Sequence, residues 1–371
     1  MSAYDVVVVG AGIVGCASAL ELARVGLRVA VVERGAVAGA TTSAGMGHVV
    51  VLDDSPAQLA LTVYSRGIWR GMEGMLPAEA EYVSRGTLWV AADSDEMAEV
   101  YTKQASYARA GVAAEALDAQ AVAEAEPALR KGRAGGLLVP EDGVLFPPAA
   151  AAYFLDEAQR LGTELLLGRE VVKCGEGRVE FADGGVVSCG QILLASGASI
   201  ELAPWLPIRK RKGHLVMTDA FPGLVRHQVV ELGYLRSAHD LTADSVALNV
   251  QARKSGELLI GASRQYAEEG VEANPWIVER LLERAKEYLP ALAKMKPGEW
   301  RVRTGFRAAT EDHLPLIGPT KDVTLFLAMG FEGLGITCSP GAARLAADAM
   351  LGREAEIDAA PYLPSRLRRD G

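Results

Sequence analysis

Near the N-terminus the chain reads Asp5-Val6-Val7-Val8-Val9-Gly10-Ala11-Gly12-Ile13-Val14-Gly15. The valine run predicts a parallel strand buried on both faces. The glycines follow the G-x-G-x-x-G pattern of a turn that leads into a helix. A second valine-rich run ends at Val32 and is followed by Glu33, about 20 residues beyond the glycines, where such sites place an acid. Together these features predict a βαβ unit that binds the pyrophosphate and ribose of a dinucleotide.

Each part of this unit has its own expected role. Gly10 and Gly12 allow a tight turn and close approach of backbone to phosphate, and Gly15 lets the helix pack on the strand. The helix presents free N–H groups and its positive dipole end to the phosphates. An acid that accepts the ribose hydroxyls disfavours a 2′-phosphate and therefore NADP. The predicted nucleotide contacts here are Gly10, Gly12, Ile13, Val14, Gly15, Glu33 and Arg34.

Length and composition limit the possible functions. A chain of 371 residues predicts two domains, or one with a large insertion. The net charge of −9 disfavours nucleic acid and anionic membranes as partners. Four widely spaced cysteines without a CxxC pair favour reduced thiols over a zinc or iron–sulfur site. No signal peptide or transmembrane segment is expected, which favours a cytoplasmic location with peripheral membrane association left open.

Two further segments are expected near the glycine turn. The run Thr41-Thr42-Ser43-Ala44-Gly45-Met46-Gly47-His48 is small and hydroxylated, and it suits either backbone packed on a flat ring or a plain loop. The run from Gln191 to Ala198 reads as a second buried strand that ends in Ala195, Ser196 and Gly197. Its end is expected beside the first glycine turn, where it closes the nucleotide site.

The pattern of apolar and polar residues differs in the rest of the chain. Residues 213–263 alternate apolar and polar residues, which predicts an antiparallel sheet. The basic run 209–212 is interpreted as a solvated interdomain loop. Ser339 and Pro340 are expected to open a last helix over residues 341–351, and the tail from Arg353 is expected to fray.

The order of these elements favours FAD over NAD. A nicotinamide dehydrogenase would continue with further βαβ units, whereas here an antiparallel region intervenes before a C-terminal helix. The segment Gly330-Phe331-Glu332-Gly333-Leu334-Gly335-Ile336-Thr337 precedes that helix. Its glycines let backbone amides approach the edge of a flavin, and a helix dipole there would stabilise negative charge on the reduced ring.

With these motifs the chain resembles the D-amino-acid oxidase family of FAD-dependent oxidoreductases, which includes glycine oxidase, sarcosine oxidase and bacterial D-amino-acid dehydrogenases. Further markers are Gly86-Thr87-Leu88, Gly305-Phe306-Arg307 and the run from Asp312 to Gly318. Within the family, Met46-Gly47-His48 and the run from Glu332 to Thr337 look most like D-hydroxyproline dehydrogenases and the flavin subunits of opine oxidase and hydrogen cyanide synthase.

The resemblance implies an α/β (α+β) two-domain fold. A Rossmann-like FAD-binding domain with a mostly parallel sheet would comprise residues 1–80, 145–210 and 305–371. A substrate domain with a mainly antiparallel sheet would comprise residues 81–144 and 211–304. FAD would be non-covalent, because Ala308, Ala309 and Thr310 stand where some relatives carry the flavin-linked cysteine.

The resemblance also implies an activity, which is hydride transfer from the α-carbon of an amino or imino acid to flavin N5, giving an imine. Three alternatives stay open. One is a dehydrogenase of D-hydroxyproline, D-proline or another D- or N-alkyl amino acid that reduces a quinone or a partner subunit. The second is an oxidase of glycine, sarcosine or D-amino-acid type that uses oxygen. The third is the flavin subunit of a heteromer, and the oligomeric state is open in each case.

Arg307 matches the family position that anchors the substrate carboxylate, although pairing with Glu311 or Asp312 is an alternative. Arg301 and Arg303 are expected to be structural. His48 and Glu332 are candidate catalytic residues, with packing and loop-shaping roles as alternatives, and Tyr234 and Tyr266 are candidate substrate contacts. The remaining expected cofactor contacts are Thr41, Thr42, Ser43, Ala44, Gly45, Met46, Gly47, Val171, Ala195, Ser196, Gly197, Gly305, Gly330, Gly333, Leu334, Gly335, Ile336 and Thr337.

Overall fold

A computed structural model describes residues 3–233, 244–266 and 270–367 of the chain. Its first sheet confirms the predicted βαβ unit. β1 (Tyr4–Val9) pairs in parallel with β2 (Val29–Glu33), and α1 (Ile13–Arg24) connects them. The side chains of residues 6–9 are buried on both faces of β1, which explains why the valine run does not alternate with polar residues.

Further elements complete this first layer. β11 (Val186–Leu194) pairs in parallel with the other side of β1, and β8 (Glu164–Leu167) pairs with β2. β17 (Leu316–Pro319) and β18 (Leu325–Met329) extend the sheet beyond β11, and the strands β9 (Val171–Gly175) and β10 (Arg178–Phe181) continue it as a hairpin. α1 packs against α6 (Pro147–Arg160) and against the last helix, α8 (Gly335–Leu351).

The second sheet is mainly antiparallel, as predicted. The strands are β4 (Thr87–Ala91), β5 (Glu115–Asp118), β6 (Gly135–Val139), β12 (Arg209–Ala220), β13 (Gln228–Glu231), β14 (Ser245–Ala252), β15 (Glu257–Arg264) and β16 (Trp300–Ala309). Their order in the sheet is β16-β12-β15-β14-β13-β4-β6-β5, and the pair β13–β4 is parallel. The apolar face of α7 (Pro275–Tyr288) buries Ile277 and Leu281 against this sheet. The domain boundaries proposed above stay a prediction.

Shorter elements connect the two sheets. They are α2 (Ala40–Ala44), β3 (His48–Val49), α3 (Pro56–Gly71), α4 (Ser94–Arg109), α5 (Ala119–Ala125) and β7 (Gly143–Val144). The segment 41–48 is therefore a short helix followed by a strand that pairs with β7. Within the described ranges, no helix has the length and apolar character needed to cross a membrane.

The interpretation of residues 209–212 as a solvated loop is wrong. These residues begin β12, and Arg211 and Lys212 are buried. Arg211 forms an ion pair with Glu332, and Lys212 Nζ donates to the carbonyl of Glu272 at 2.5 Å. Burial of both cations is possible because each has a partner, and a sequence run shows no partners.

The expected start of the last helix is also wrong. The helix begins at Gly335, and Pro340 lies inside it. Proline has no N–H to donate to the carbonyl of Ile336 four residues earlier. The Ser339 hydroxyl donates to that carbonyl at 3.0 Å, and Trp69 Nε1 donates to it at 3.2 Å. Ser339 therefore replaces a lost helical hydrogen bond, so it does not cap the helix.

The tail beyond Arg353 packs on the protein as far as it is described, which contradicts the expected fraying. The Tyr362 ring is buried, and its hydroxyl donates to the carbonyl of Ala57 at 2.6 Å. Arg366 pairs with Asp312 at 2.7 Å. These contacts join the tail to α3 and to the segment before β17.

Candidate active site

A deep cavity lies between the two sheets and brings together the motifs that the sequence analysis singled out. The first layer contributes Gly12, Ile13, Val14, Ala195, Gly197, Gly330 and Gly333 to Ile336; the connecting segment contributes Thr41, Thr42 and Ala44 to His48. The second layer contributes Gly213, Leu215, Asn249, Gly261, Arg264, Gly305 and Arg307, among others. These segments are far apart in sequence, and they become neighbours only because both sheets meet at the cavity.

The glycine turn at one end of the cavity has the close packing that its sequence predicts. Gly10 has φ +108°, a conformation that side chains disfavour. A Cβ on Gly15 would lie 1.9 Å from the carbonyl oxygen of Gly10, so α1 approaches β1 this closely only without a side chain. Glu33 accepts hydrogen bonds from the backbone N–H of Ala11 at 2.9 Å and of Gly35 at 2.7 Å. Glu33 therefore also orders the turn itself.

Two helix N-termini point into the cavity. Gly12 caps α1 and Leu334 precedes α8, and neither of these two residues supplies a side-chain hydrogen bond to its helix. The Ile13 N–H donates a hydrogen bond to Thr42 Oγ1 at 3.1 Å. Helix N-termini attract anionic groups through free N–H donors and the helix dipole. Because both termini line the same cavity, it suits a dinucleotide whose phosphates would lie at α1 and whose ring would lie near α8, as expected for FAD.

Arg307 lies at the α8 end of the cavity. It is on β16, and its Nη1 donates to the Ser263 carbonyl of β15 at 2.8 Å. A Cβ on Gly213 of β12 would lie 2.5 Å from the same nitrogen, so the guanidinium crosses β12 where there is no side chain. Asp312, an alternative partner considered above, pairs with Arg366.

The other arginines of β16 have different surroundings. Arg301 pairs with Glu257 on the exposed side of the sheet, and Arg303 donates to the carbonyl of Ser43. Neither lines the cavity. The structural roles expected for both agree with these contacts.

Glu332 lies in the cavity wall at the centre of a cluster of basic side chains. Its Oε1 pairs with Arg211 and lies 3.6 Å from Arg264, and its Oε2 contacts His313 Nδ1 at 2.7 Å. Burial raises the pKa of this carboxyl, but the His313 hydrogen bond and the charges of Arg264 and Arg211 outweigh it, and the pKa falls to about 2. The same hydrogen bond raises the pKa of His313. Because both oxygens are engaged, the contacts favour the loop-shaping role for Glu332.

His48 also lines the cavity. Its Nε2 lies 2.8 Å from Thr87 Oγ1, and its backbone carbonyl accepts from the Thr337 hydroxyl at 3.0 Å. Burial lowers the pKa of His48 to about 3, so the imidazole is neutral near pH 7. Of the two candidate tyrosines, Tyr266 lies under the Arg211 guanidinium at 4.8 Å, and Tyr234 lies outside the described residues.

Several predicted cofactor contacts do not line the cavity: Gly10, Gly15, Glu33, Arg34, Ser43, Val171, Ser196 and Thr337. The Arg34 guanidinium donates hydrogen bonds to Glu170 at 3.4 Å and to the Ser199 hydroxyl at 2.9 Å. Ser196 donates to the Ser199 carbonyl at 2.6 Å. Val171 is the first residue of β9. It follows Arg169 and Glu170, which contact Glu33 and Arg34 respectively.

A second group of cavity residues was not predicted from the sequence, namely Trp89, His214, Asn249, Arg264 and His313. His214 Nε2 accepts from the Asn274 N–H at 3.0 Å, and its Nδ1 lies 3.1 Å from Ser263 Oγ. Burial, together with the charges of Lys212 and Arg307, lowers the pKa of His214 to about 4. The available signal was Gly213 and Gly261 inside predicted strands, because strand glycines mark close approach of another group.

Comparison with known proteins agrees with this site. The family model described as FAD dependent oxidoreductase (DAO) matches residues 5–349. The chain is 30% identical over 381 residues to glycine oxidase from Pseudomonas aeruginosa (97% of this chain and 98% of that protein). It is 25% identical over 424 residues of alignment to D-amino acid dehydrogenase from Dechloromonas aromatica (95% of this chain and 98% of that protein).

A solved structure is also similar. Glycine oxidase from Geobacillus kaustophilus is 27% identical in a sequence alignment that covers 98% of this chain and 97% of that protein. Its crystal structure superposes with a TM-score of 0.88 and covers all of both chains at 26% identity. The likeness therefore extends over both sheets and the cavity between them.

Proposed function

Because the chain belongs to the DAO family of FAD dependent oxidoreductases, we propose that it oxidises a small amino or imino acid at the α-carbon. The favoured substrates are D-hydroxyproline and D-proline, with the electrons passing to a quinone or a partner protein. The observation that carries the proposal is the Arg307 guanidinium, which lies in the cavity that both helix N-termini enter.

Different residues of the cavity would hold the cofactor and the substrate in this reaction. When bound, FAD supplies the acceptor for the hydride that leaves the α-carbon, and the substrate departs as an imine. Gly12, Ile13 and Val14 would hold the phosphates, and Leu334, Gly335 and Ile336 would hold the ring. The planar, permanently charged guanidinium of Arg307 suits bidentate binding of a carboxylate. Fixing the carboxylate fixes the orientation of the α-carbon.

The lining favours a substrate that has a ring or an alkyl group. Met46, Trp89, Leu215 and Val230 present apolar side chains to the cavity. Each buried CH₂ group contributes about 0.8 kcal/mol, so the three CH₂ groups of a proline ring are worth about 2.4 kcal/mol, or roughly 50-fold, over glycine. A cyclic secondary amine gains this free energy of burial, and glycine does not.

The second candidate is an oxidase of glycine or sarcosine that uses oxygen. The overall similarity to two glycine oxidases favours it. In either case we propose non-covalent FAD, since none of the four cysteines lines the cavity in the described part of the chain.

The experiment that tests the proposal is an anaerobic substrate screen. The yellow FAD-loaded protein is mixed with D-proline, D-hydroxyproline, sarcosine or glycine, and the absorbance of oxidised flavin is followed. We expect the two cyclic amino acids to bleach the flavin at lower concentrations than glycine, and reoxidation in air to be slow. Preference for glycine with rapid peroxide release would establish the oxidase instead. A flavin that no amino acid bleaches would indicate a subunit that needs a partner.

A further inference from the structure

A buried row of polar side chains connects the cavity to α3. His48 Nε2 lies 2.8 Å from Thr87 Oγ1, and the Thr87 hydroxyl donates to Asp142 Oδ2 at 2.7 Å. Asp142 Oδ1 accepts from Arg66 Nη1 at 3.0 Å and from the Val51 N–H at 3.3 Å. Thr87 and Asp142 are fully buried, and Arg66 is 4% exposed. Water therefore does not replace any partner in this row.

Counting protons along the row determines which nitrogen of His48 carries hydrogen. The Thr87 hydroxyl has one proton, and Asp142 accepts it, so the Thr87 oxygen must accept a proton from His48. Burial raises the pKa of Asp142 to about 6 against the effects of Arg66 and Thr87, which leaves it ionised at pH 7 and above. A neutral imidazole has one N–H. His48 is therefore the Nε2–H tautomer, and its Nδ1 carries a lone pair.

The lone pair of Nδ1 is available to the cavity. His48 lines the cavity and is only half-buried, and its Nδ1 makes no hydrogen bond with any described residue. The other histidine considered above, His214, differs because hydrogen bonds engage both of its ring nitrogens. His48 thus presents one acceptor to whatever the cavity binds.

We propose that Thr87 and Asp142 are positioning residues that hold His48 in the Nε2–H tautomer, so that Nδ1 accepts a hydrogen bond from the substrate amine. The chemical class of this ligand rests on the proposed function. A neutral cyclic secondary amine has one N–H, which matches one acceptor. A neutral acceptor also suits this task better than a carboxylate, because a carboxylate would stabilise the protonated ammonium, which cannot lose hydride. Arg307 and His48 would then bind the two ends of one amino acid.

Three variants separate this role from a merely structural one. Thr87→Val removes the hydroxyl at nearly constant volume, and Thr87→Ser keeps it. His48→Gln keeps an N–H donor near the Nε2 position and removes the Nδ1 acceptor. Each variant is prepared as the FAD-loaded protein and compared with the natural chain in thermal unfolding and FAD content, so that a folding failure is recognised.

Two measurements give the test. The first is ¹⁵N NMR of histidine-labelled protein, in which the His48 signals are assigned by their loss in His48→Gln. We expect the natural chain and Thr87→Ser to show Nε2–H and an unprotonated Nδ1, and Thr87→Val to lose this pattern. The second compares D-proline with tetrahydrofuran-2-carboxylate, which has a ring oxygen in place of the amine. One lost hydrogen bond should weaken D-proline binding about tenfold in Thr87→Val and His48→Gln, with binding of the analogue nearly unchanged.

Specific outcomes would overturn the inference. An Nδ1–H tautomer in the natural chain contradicts the role of Thr87 and Asp142. An equal loss for D-proline and the analogue shows that His48 does not contact the amine. If no amino acid bleaches the flavin, the proposed function fails and the amine contact fails with it, whereas the NMR result still decides the tautomer.

Discussion

Replacing Arg307 with alanine is expected to raise KM for the amino-acid substrate by roughly 30-fold to several thousand-fold while FAD stays bound. The physical reason is that the half-buried guanidinium is held by the Ser263 carbonyl within the cavity, where a bound substrate would pair with it and displace water from it. Truncating one partner of a desolvated, hydrogen-bonded charge pair costs about 2–5 kcal/mol. KM and kcat are measured from flavin-linked turnover, and FAD content is measured from the visible spectrum.

Arg301→Ala is the matched control, because it removes the same side chain from the same strand. Arg301 pairs with Glu257 on the exposed side and does not line the cavity. Its loss should leave KM nearly unchanged. Arg307→Lys should recover part of the loss, since lysine keeps the charge and loses the bidentate geometry. An Arg307→Ala protein with an unchanged KM would mean that another group anchors the carboxylate.

Replacing Glu332 with glutamine is expected to lower the free energy of unfolding at pH 7 by about 3–5 kcal/mol, the typical cost of breaking a buried ion pair. The substitution removes the charge that faces Arg211, Arg264 and His313, and Arg211 is completely buried. The measurement is urea-induced unfolding of the FAD-loaded proteins.

The pH dependence of this contribution follows from the depressed pKa of Glu332. Its pKa is about 2 in the folded protein and 4.5 when unperturbed, so the stabilisation is complete above about pH 4.5 and is lost as the pH falls toward 2. Glu180→Gln is the control, because its pair with Lys173 is exposed and should contribute at most about 1 kcal/mol. A Glu332→Gln protein as stable as this control would show that the cluster is not held by charge.

The nucleotide end of the cavity could be predicted because its signals are local. A strand, a glycine turn and a helix are fixed by neighbouring residues, and the contact between Gly15 and Gly10 spans one turn. Arg307 was also predicted as a site residue, through a resemblance to a family motif, and it lines the cavity. No local pattern places it beside Ser263 or Gly213, because those contacts depend on the pairing of β12, β15 and β16.

Buried charges were the least predictable feature. The run at Arg209–Lys212 reads as a solvated loop because basic residues are ordinarily exposed. The burial of Arg211 depends on Glu332, which lies more than a hundred positions later in the chain and reaches Arg211 only in the folded protein. Pro340 shows the same limit on a smaller scale, since the helix tolerates it because Ser339 and the distant Trp69 satisfy the Ile336 carbonyl. Such pairings form only in the tertiary structure, so a local sequence pattern does not reveal them.

The most direct test of the account is an anaerobic comparison of D-proline with pyrrolidine, its analogue without the carboxylate. The natural FAD-loaded chain is mixed with each amine at the same concentration, and the absorbance of oxidised flavin is recorded over time. We expect D-proline to bleach the flavin and pyrrolidine to leave it oxidised, because pyrrolidine has no carboxylate for Arg307 to hold. Equal bleaching by the two amines, or bleaching by neither, would contradict it.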